Sequence, residues 1–585
     1  MSLDFDEILH LLGHFGPYQK FLYSLLCLCM IPACFTVLSP AFVATDVPHV
    51  CKIPDDLLQL ENISVATLIP YEMQDGLCQP SQCRRYEYNG SDTVFGKIDG
   101  NFSACDVRWK TIECDMGWSY DIANYRSSIV TEWDLVCERT WLREVARSSV
   151  YWGILVGTMM VSPMADRYGR RLSIFSAVLC NVLFGIGSAF APTLEVYICF
   201  QFLLGCTFVG LYLVTYSYVL EWIGSTKRAF VSNSNVIFYA FAYMGLAGLA
   251  YLVRDWRQLS LCLCVPQIFM LFYFWCIPES PRWLLSRGDV KEAEVIILKA
   301  ARVNKADISS LLPKLGQQYW EEQMKRRNNG GFNLRRKHSF VDLVRTPNLR
   351  RRCLNIFCHW TAISLVYYGV SLNISSINGS VYLNFFLAGL VEIPGVLLSV
   401  FTVDRYGRTV PLSVFCVIAG VGCICSQVFP ESLAYMSVGL ALVGKLGAAA
   451  AFWTAYIHTS ELLPTVIRTT GLGAASCFGR LGSIVAPFVQ LLSSAWNPLP
   501  FIIYGGTALA ASVLILLLPE TKGRPLPSTI EDVEYLQERK FSFISSVKSS
   551  DSETSSEGDS SSLKKLIMWT SIGNFDFKFD IPKRI

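Results

Sequence analysis

The sequence predicts an all-α polytopic membrane protein, with twelve transmembrane helices arranged as two six-helix pseudo-repeats, and three observations carry that prediction. Of 585 residues, 52% are hydrophobic and only 17% charged, more apolar side chain than a soluble surface can hide. Apolar runs recur from Phe21 to Leu518, separated by short clusters of Arg, Lys, Asp and Glu, and many reach the roughly 20 residues that span hydrocarbon. Three sets of landmarks then occur twice at almost constant separation.

Taken in order, residues 1–20 are polar and mixed in charge, so the run 21–44 reads as a retained first helix rather than a cleavable signal. Further spans are expected at 147–165, 172–191, 196–220, 229–250, 258–277, 353–371, 382–401, 410–427, 434–457, 469–491 and 499–518. An even count puts both termini on one side. Segments 166–171, 222–228, 278–352, 404–408 and 461–468 share that side and hold most of the short-loop Arg and Lys, so it is predicted to be cytoplasmic. The resulting domains are an N-terminal segment 1–20, a bundle 21–277, an inner loop 278–352, a second bundle 353–520 and a tail 521–585.

Segment 45–146 falls on the opposite side. It carries Cys51, Cys78, Cys83, Cys105, Cys114 and Cys137 in a polar stretch too poor in apolar residues for a large core, and three disulfides of open connectivity are expected to staple it. Asn62, Asn89 and Asn101 each begin an Asn-x-Ser acceptor pattern there, so glycosylation of an exported loop is expected. In the inner loop, the pattern from Gly288 to Ala301 predicts an amphipathic helix on the cytoplasmic face. The tail from Ser549 to Ser562 contains only Ser, Asp, Glu, Thr and Gly, a composition that buries too little to fold alone.

The repeat is explicit. Asp166-Arg167-Tyr168-Gly169-Arg170 recurs as Asp404-Arg405-Tyr406-Gly407-Arg408, a shift of 404 − 166 = 238 positions. Glu221 with Arg228 is echoed by Glu461 with Arg468, and Pro278-Glu279 by Pro519-Glu520, at shifts of 240 and 241. Such parallel halves suit a transporter that rocks about a central cleft. These charges, with Arg171, are candidate gating residues whose ion pairs change as the inner side opens; fixing topology is the competing role.

Ionisable residues inside the bilayer are costly enough to mark function. Arg480 lies 12 residues past Arg468 and Glu392 12 residues before Asp404, each about 18 Å from the inner end at 1.5 Å per residue. Lys445, 16 residues before Glu461, is expected at about 24 Å, nearer the outer face. Arg480 is suited to clamp a carboxylate in two-pronged fashion and Lys445 to attract it. Glu392 would face a cationic end, with ring faces from Tyr367, Tyr368, Phe452, Trp453, Tyr456, Phe238, Phe241 and Tyr243. The alternative is that Glu392 and Arg480 pair with each other. No nucleotide-binding loop, metal cluster or catalytic constellation emerges, so neither an enzyme nor a cofactor is expected, nor is nucleic acid a partner.

The chain resembles the major facilitator superfamily, and in it the organic cation, organic anion and carnitine transporter family, from His14-Phe15-Gly16 to Glu520-Thr521-Lys522-Gly523. The specific pieces are Glu132-Trp133-Asp134-Leu135-Val136-Cys137, Asp166 to Arg171, Pro278-Glu279-Ser280-Pro281-Arg282-Trp283-Leu284-Leu285 and Pro519 to Gly523. Ser162 departs from the glycine usual at the start of the loop signature. The resemblance implies alternating access at the plasma membrane. Cation transporters of the family tend to hold an aspartate where this chain has Arg480, and Tyr382 to Leu387 with Glu392-Ile393-Pro394 is most like the carnitine-type members. Carnitine or a related zwitterion is therefore the expected cargo, with an organic anion as the alternative; the coupling ion stays open.

Overall fold

The computed structural model describes residues 5–53, 69–74, 77–87, 111–121, 126–307, 340–374, 379–429, 433–523, 527 and 529–534. Within these, the side chains of 5, 6, 73, 74, 77, 78, 225, 226, 228–230, 232 and 233 lie outside the description. Ten helices among the described residues are long and apolar enough to cross a membrane. The first half contains α1 (Pro17–Val43), α2 (Thr140–Tyr168), α3 (Arg170–Ala189), α4 (Leu194–Glu221), α5 (Ser225–Leu252) and α6 (Trp256–Cys276). Two shorter helices follow, α7 (Pro281–Arg287) and α8 (Val290–Asn304). The second half contains α9 (Pro347–Asn373), α10 (Val381–Tyr406), α11 (Thr409–Cys425), α12 (Ala434–Leu462), α13 (Thr465–Ser494) and α14 (Leu499–Leu516).

All twelve expected segments are helical, but two fall outside the ten. The charge-free part of α2 is diluted by Ser148, Ser149, Ser162 and Pro163, and α11 has only 17 residues. Packing ties both into the bundle: α2 lies along α4, and α11 along α12 and α14. α1 is built from three pieces, Pro17–Leu28, Met30–Leu38 and Pro40–Val43. Its first break has a local cause, because Pro32 cannot donate to the Leu28 carbonyl and its ring crowds that turn.

The amphipathic helix expected from Gly288 to Ala301 is α8, which buries Ala293, Ile297, Ala300 and Ala301. Asn304 at its end accepts from the Tyr18 N–H at 2.9 Å and donates to the Leu12 carbonyl at 2.9 Å, fastening it to the base of α1. Between α1 and α2 the described chain forms three two-stranded antiparallel ribbons. Disulfides Cys51–Cys114 and Cys83–Cys137 hold them. Cys105, the Cys78 side chain, Asn62, Asn89 and Asn101 lie outside the described residues, as does the serine-rich tail.

The halves meet through α2 against α13 and α5 against α10. Phe42 stacks on Tyr382 at 5.8 Å, Tyr243 on Phe385 at 4.4 Å, and Tyr251 meets Tyr382 edge-on at 5.5 Å. These rings close the interface on the side that bears the disulfides. The opposite side, called here the basic face, carries the repeated charges.

Candidate substrate site and its gates

On the basic face the repeated motifs fold into two matching knots. Gly169 and Gly407 adopt φ of 100° and 96°, a region L side chains rarely enter. A Cβ would sit 2.9 Å from the carboxylate carbon of Glu279 at the first and 2.7 Å from that of Glu520 at the second. The chain can then turn tightly enough for each carboxylate to cap the next helix. Glu279 accepts from the Arg170 N–H at 2.8 Å, and Glu520 from the N–H groups of Arg408 and Thr409 at 2.9 and 3.0 Å. Arg170 Nε donates to Glu221 and Arg408 Nε to Glu461, both at 3.1 Å. A charged acceptor at a helix N-terminus is favourable for both dipole and hydrogen-bond reasons.

The two knots differ electrically. Burial pushes the Glu279 carboxyl above its ordinary range, despite N–H groups of Ser280, Arg170 and Arg171 that favour the anion. Burial also pushes Glu520 upward, but N–H donation from Arg408, Lys522, Thr409 and Thr521 outweighs it, so that carboxyl is held low. Asp166 pairs with Arg170 at 3.0 Å, whereas Asp404 is exposed and makes no ion pair among the described residues. Arg167 and Arg405 lie over Tyr168 and Tyr406, Arg171 Nε donates to the Phe274 carbonyl at 2.8 Å, and Arg468 reaches the Leu463 carbonyl. The Arg228 side chain lies outside the description. Each ion pair joins helices of one half, so these knots brace a half from within.

At the centre, Lys445 and Glu392 are fully buried and paired at 2.7 Å. Tyr367 donates its hydroxyl to the same Glu392 oxygen at 2.7 Å, and Lys445 donates to Ser371 Oγ at 2.6 Å. The ammonium also lies 3.6 Å from the Tyr367 ring centre and 5.6 Å from that of Tyr243. Of the pairings open from the sequence, Glu392 takes Lys445 rather than Arg480, so the tips of two side chains expected at different depths meet. The lysine stem and the unequal reference points of two helices absorb the difference of about one helical turn.

Arg480 is 4% exposed and donates to the Tyr368 hydroxyl at 3.1 Å. Among the described residues no carboxylate pairs with it, and its Nε has no hydrogen-bond partner. Phe208 of α4 lies 5.7 Å away and Tyr151 of α2 packs on Tyr368 at 5.0 Å, so the guanidinium points into the interface between halves. α4 widens to a π-turn at Gly210–Val214 beside this site, a distortion frequent where a helix serves function.

The expected rings assemble unevenly. Tyr367, Tyr368, Phe452, Trp453 and Tyr456 form one cluster, in which Tyr367 stacks on Phe452 at 4.9 Å and Tyr456 meets Phe452 edge-on at 5.7 Å. Trp360 joins it, 4.6 Å from Tyr456. Phe238 meets Tyr23 instead. Phe241 is 60% exposed and faces away from the cluster, because it lies two residues from buried Tyr243 and hence on the opposite side of the helix.

Sequence reasoning missed the buried charges at the start of α2. Arg143 pairs with Glu144 at 2.7 Å and Asp46 at 3.1 Å, Arg147 pairs with Glu144 at 3.3 Å, and Arg147 also donates to the Ala44 carbonyl. The spacing of 144 and 147 by three is a signal for one helix face, hidden because the span was expected to begin only at 147.

Two related halves around a buried charge site define a membrane transporter of the major facilitator class. Residues 121–532 match the family model described as "Sugar (and other) transporter", and the chain belongs to that family, in its organic cation and carnitine transporter group. The organic cation transporter protein of Drosophila melanogaster is 36% identical over 533 residues, 91% of this chain and 95% of the relative. Human organic cation/carnitine transporter 2 is 34% identical over 543 residues, 91% and 94%; human solute carrier family 22 member 13 is 35% identical over 535 residues, 91% and 93%. The inward-open xylose transporter XylE of E. coli shares the fold at a TM-score of 0.52 and 19% identity, over 68% of this chain and 89% of that one. The chain is thus a secondary transporter of small organic solutes and not an enzyme.

Proposed function

We propose that this chain carries a small zwitterion of the carnitine type across the plasma membrane by alternating access, with both termini in the cytoplasm. The observation that carries the reading is the buried Arg480, which no carboxylate among the described residues pairs with. A lone charge in a low-dielectric site is costly, and a carboxylate from the solute supplies its counter-ion through two parallel hydrogen bonds. The rings around Tyr367, Phe452 and Tyr456 then receive a quaternary ammonium. The knots at Gly169 and Gly407 keep each half rigid while the interface between the halves opens and closes.

A second reading, an organic anion or an anion exchanger, is favoured by one contact: Lys445 neutralises Glu392, leaving the site with a net positive charge. An organic cation alone fits this charge least well.

Uptake of labelled carnitine into vesicles containing equal amounts of wild type and Arg480→Ala separates these readings. Saturable wild-type uptake, reduced about 30-fold or more in the variant, is the expected result. Absence of carnitine flux in folded wild type, with uptake of a dicarboxylate or aromatic acid that still needs Arg480, would replace the zwitterion by an anion.

A further inference from the structure

Away from the central site, the first half contains a cavity of about 230 Å³ lined by Tyr18, Phe21, Leu22, Cys276, Lys299 and Val303. It lies where the bases of α1 and α6 meet α8, on the basic face. None of its lining belongs to the helices that hold Arg480, Glu392 or Lys445. Its walls are of two kinds. Phe21 is 58% exposed, and the neighbouring outward residues of α6, Phe272 and Trp275, are 62% and 71% exposed, which places the opening on the apolar belt that contacts hydrocarbon. The one charged group of the lining is Lys299, exposed and without an ion pair among the described residues.

The free face of α8 continues the same chemistry. Lys291, Val295, Leu298, Lys299, Arg302 and Val303 are all exposed and fall on one arc at 100° per residue. The arc carries three cations and three aliphatics, with Glu292 as its one acid, near the N-terminal end. The opposite face is spent on the base of α1, and the Asn304 contacts prevent the helix from rolling. A helix that keeps apolar and basic residues together on its outward face is suited to the headgroup level of a bilayer, where each nearby Lys or Arg attracts anionic lipid.

We propose that this cavity binds an anionic glycerophospholipid of the leaflet on the basic face, its phosphate on Lys299 and the start of an acyl chain along Phe21, Leu22, Cys276 and Val303. A soluble phosphate compound shares the headgroup chemistry but leaves the apolar wall exposed to water, so the lining selects the lipid. The occupant would wedge the base of α1 and α6 against α8, which is where the first half borders the long inner loop.

The test uses the full chain in nanodiscs of phosphatidylcholine containing a limiting amount of phosphatidylglycerol, with retained lipid counted by native mass spectrometry. Wild type is expected to retain phosphatidylglycerol in preference to phosphatidylcholine. Lys299→Ala should reduce that retention about fivefold, Lys299→Arg should keep it, and Lys291→Ala, on the same arc but outside the cavity, should leave it unchanged. Equal retention of the two lipids by wild type overturns the proposal. So does equal loss in Lys291→Ala and Lys299→Ala, which would mean a diffuse surface attraction. Displacement by glycerol 3-phosphate as effective as by added phosphatidylglycerol overturns it in favour of a free-phosphate site. The unaltered Arg variant separates loss of the headgroup contact from loss of folding.

Discussion

Replacing Lys445 by Met leaves Glu392 as an uncompensated buried anion, and the consequence can be worked from the contact itself. At 2.7 Å and an effective dielectric of roughly 20, opposite unit charges attract by about 6 kcal/mol. Desolvation of both ions offsets much of this, so the intact pair contributes little net stability, whereas removing one partner costs about 3–5 kcal/mol. The two ends are not equivalent. Without Glu392 the ammonium keeps Ser371 Oγ and the Tyr367 ring; without Lys445 the carboxylate keeps only the Tyr367 hydroxyl, and its second oxygen is already without a partner. Lys445→Met should therefore destabilise more than Glu392→Gln, for which about 1–3 kcal/mol is expected. The double variant should recover at least about 2 kcal/mol relative to the sum of the singles. The assay is unfolding of the purified protein in mixed detergent micelles, followed by tryptophan fluorescence for all four forms. Additive losses to within about 0.5 kcal/mol, or a larger loss in Glu392→Gln than in Lys445→Met, would refute the claim that this pair is a mutually dependent, desolvated unit.

Two further outcomes test the knots on the basic face. Gly169→Ala and Gly407→Ala should each cost about 1–3 kcal/mol in the same unfolding assay, because each places a side chain at positive φ and against a capping carboxylate. Glu520→Gln should lower stability at neutral pH more than Glu279→Gln does. The Glu520 carboxyl is held low, so its contribution is present above the ordinary carboxylate range and lost as pH falls through its lowered value. The Glu279 carboxyl is raised, so its favourable contribution is present below the ordinary range and lost as pH rises through the raised value; at neutral pH a neutral Gln there removes a penalty. Melting temperatures across an acid-to-neutral series should therefore show the wild type losing its advantage over Glu520→Gln on acidification. An advantage over Glu279→Gln that grows with pH would contradict this assignment.

Whatever follows from counting along one chain is legible in the residues alone. Lipid thickness forces apolar runs of fixed length, so all the expected helices could be placed, and the repeat of Asp166-Arg167-Tyr168-Gly169-Arg170 at Asp404 to Arg408 announced two matching halves whose glycines and carboxylates do adopt one geometry. Arg480, Glu392 and Lys445 were conspicuous because charge inside a bilayer is expensive. What could not be read was which charge meets which. Depth along separate helices is known only to about a turn, and rotation about each axis is fixed by packing against neighbours. Tertiary structure alone therefore joined Lys445 to Glu392, left Arg480 with Tyr368 and no carboxylate among the described residues, turned Phe241 away from the rings that Trp360 joins, and buried Arg143 and Glu144, just before the expected span, together with Arg147 at its first position. A single chain records the cost of each buried charge, but its compensation is a property of the three-dimensional neighbours that share the same low-dielectric space.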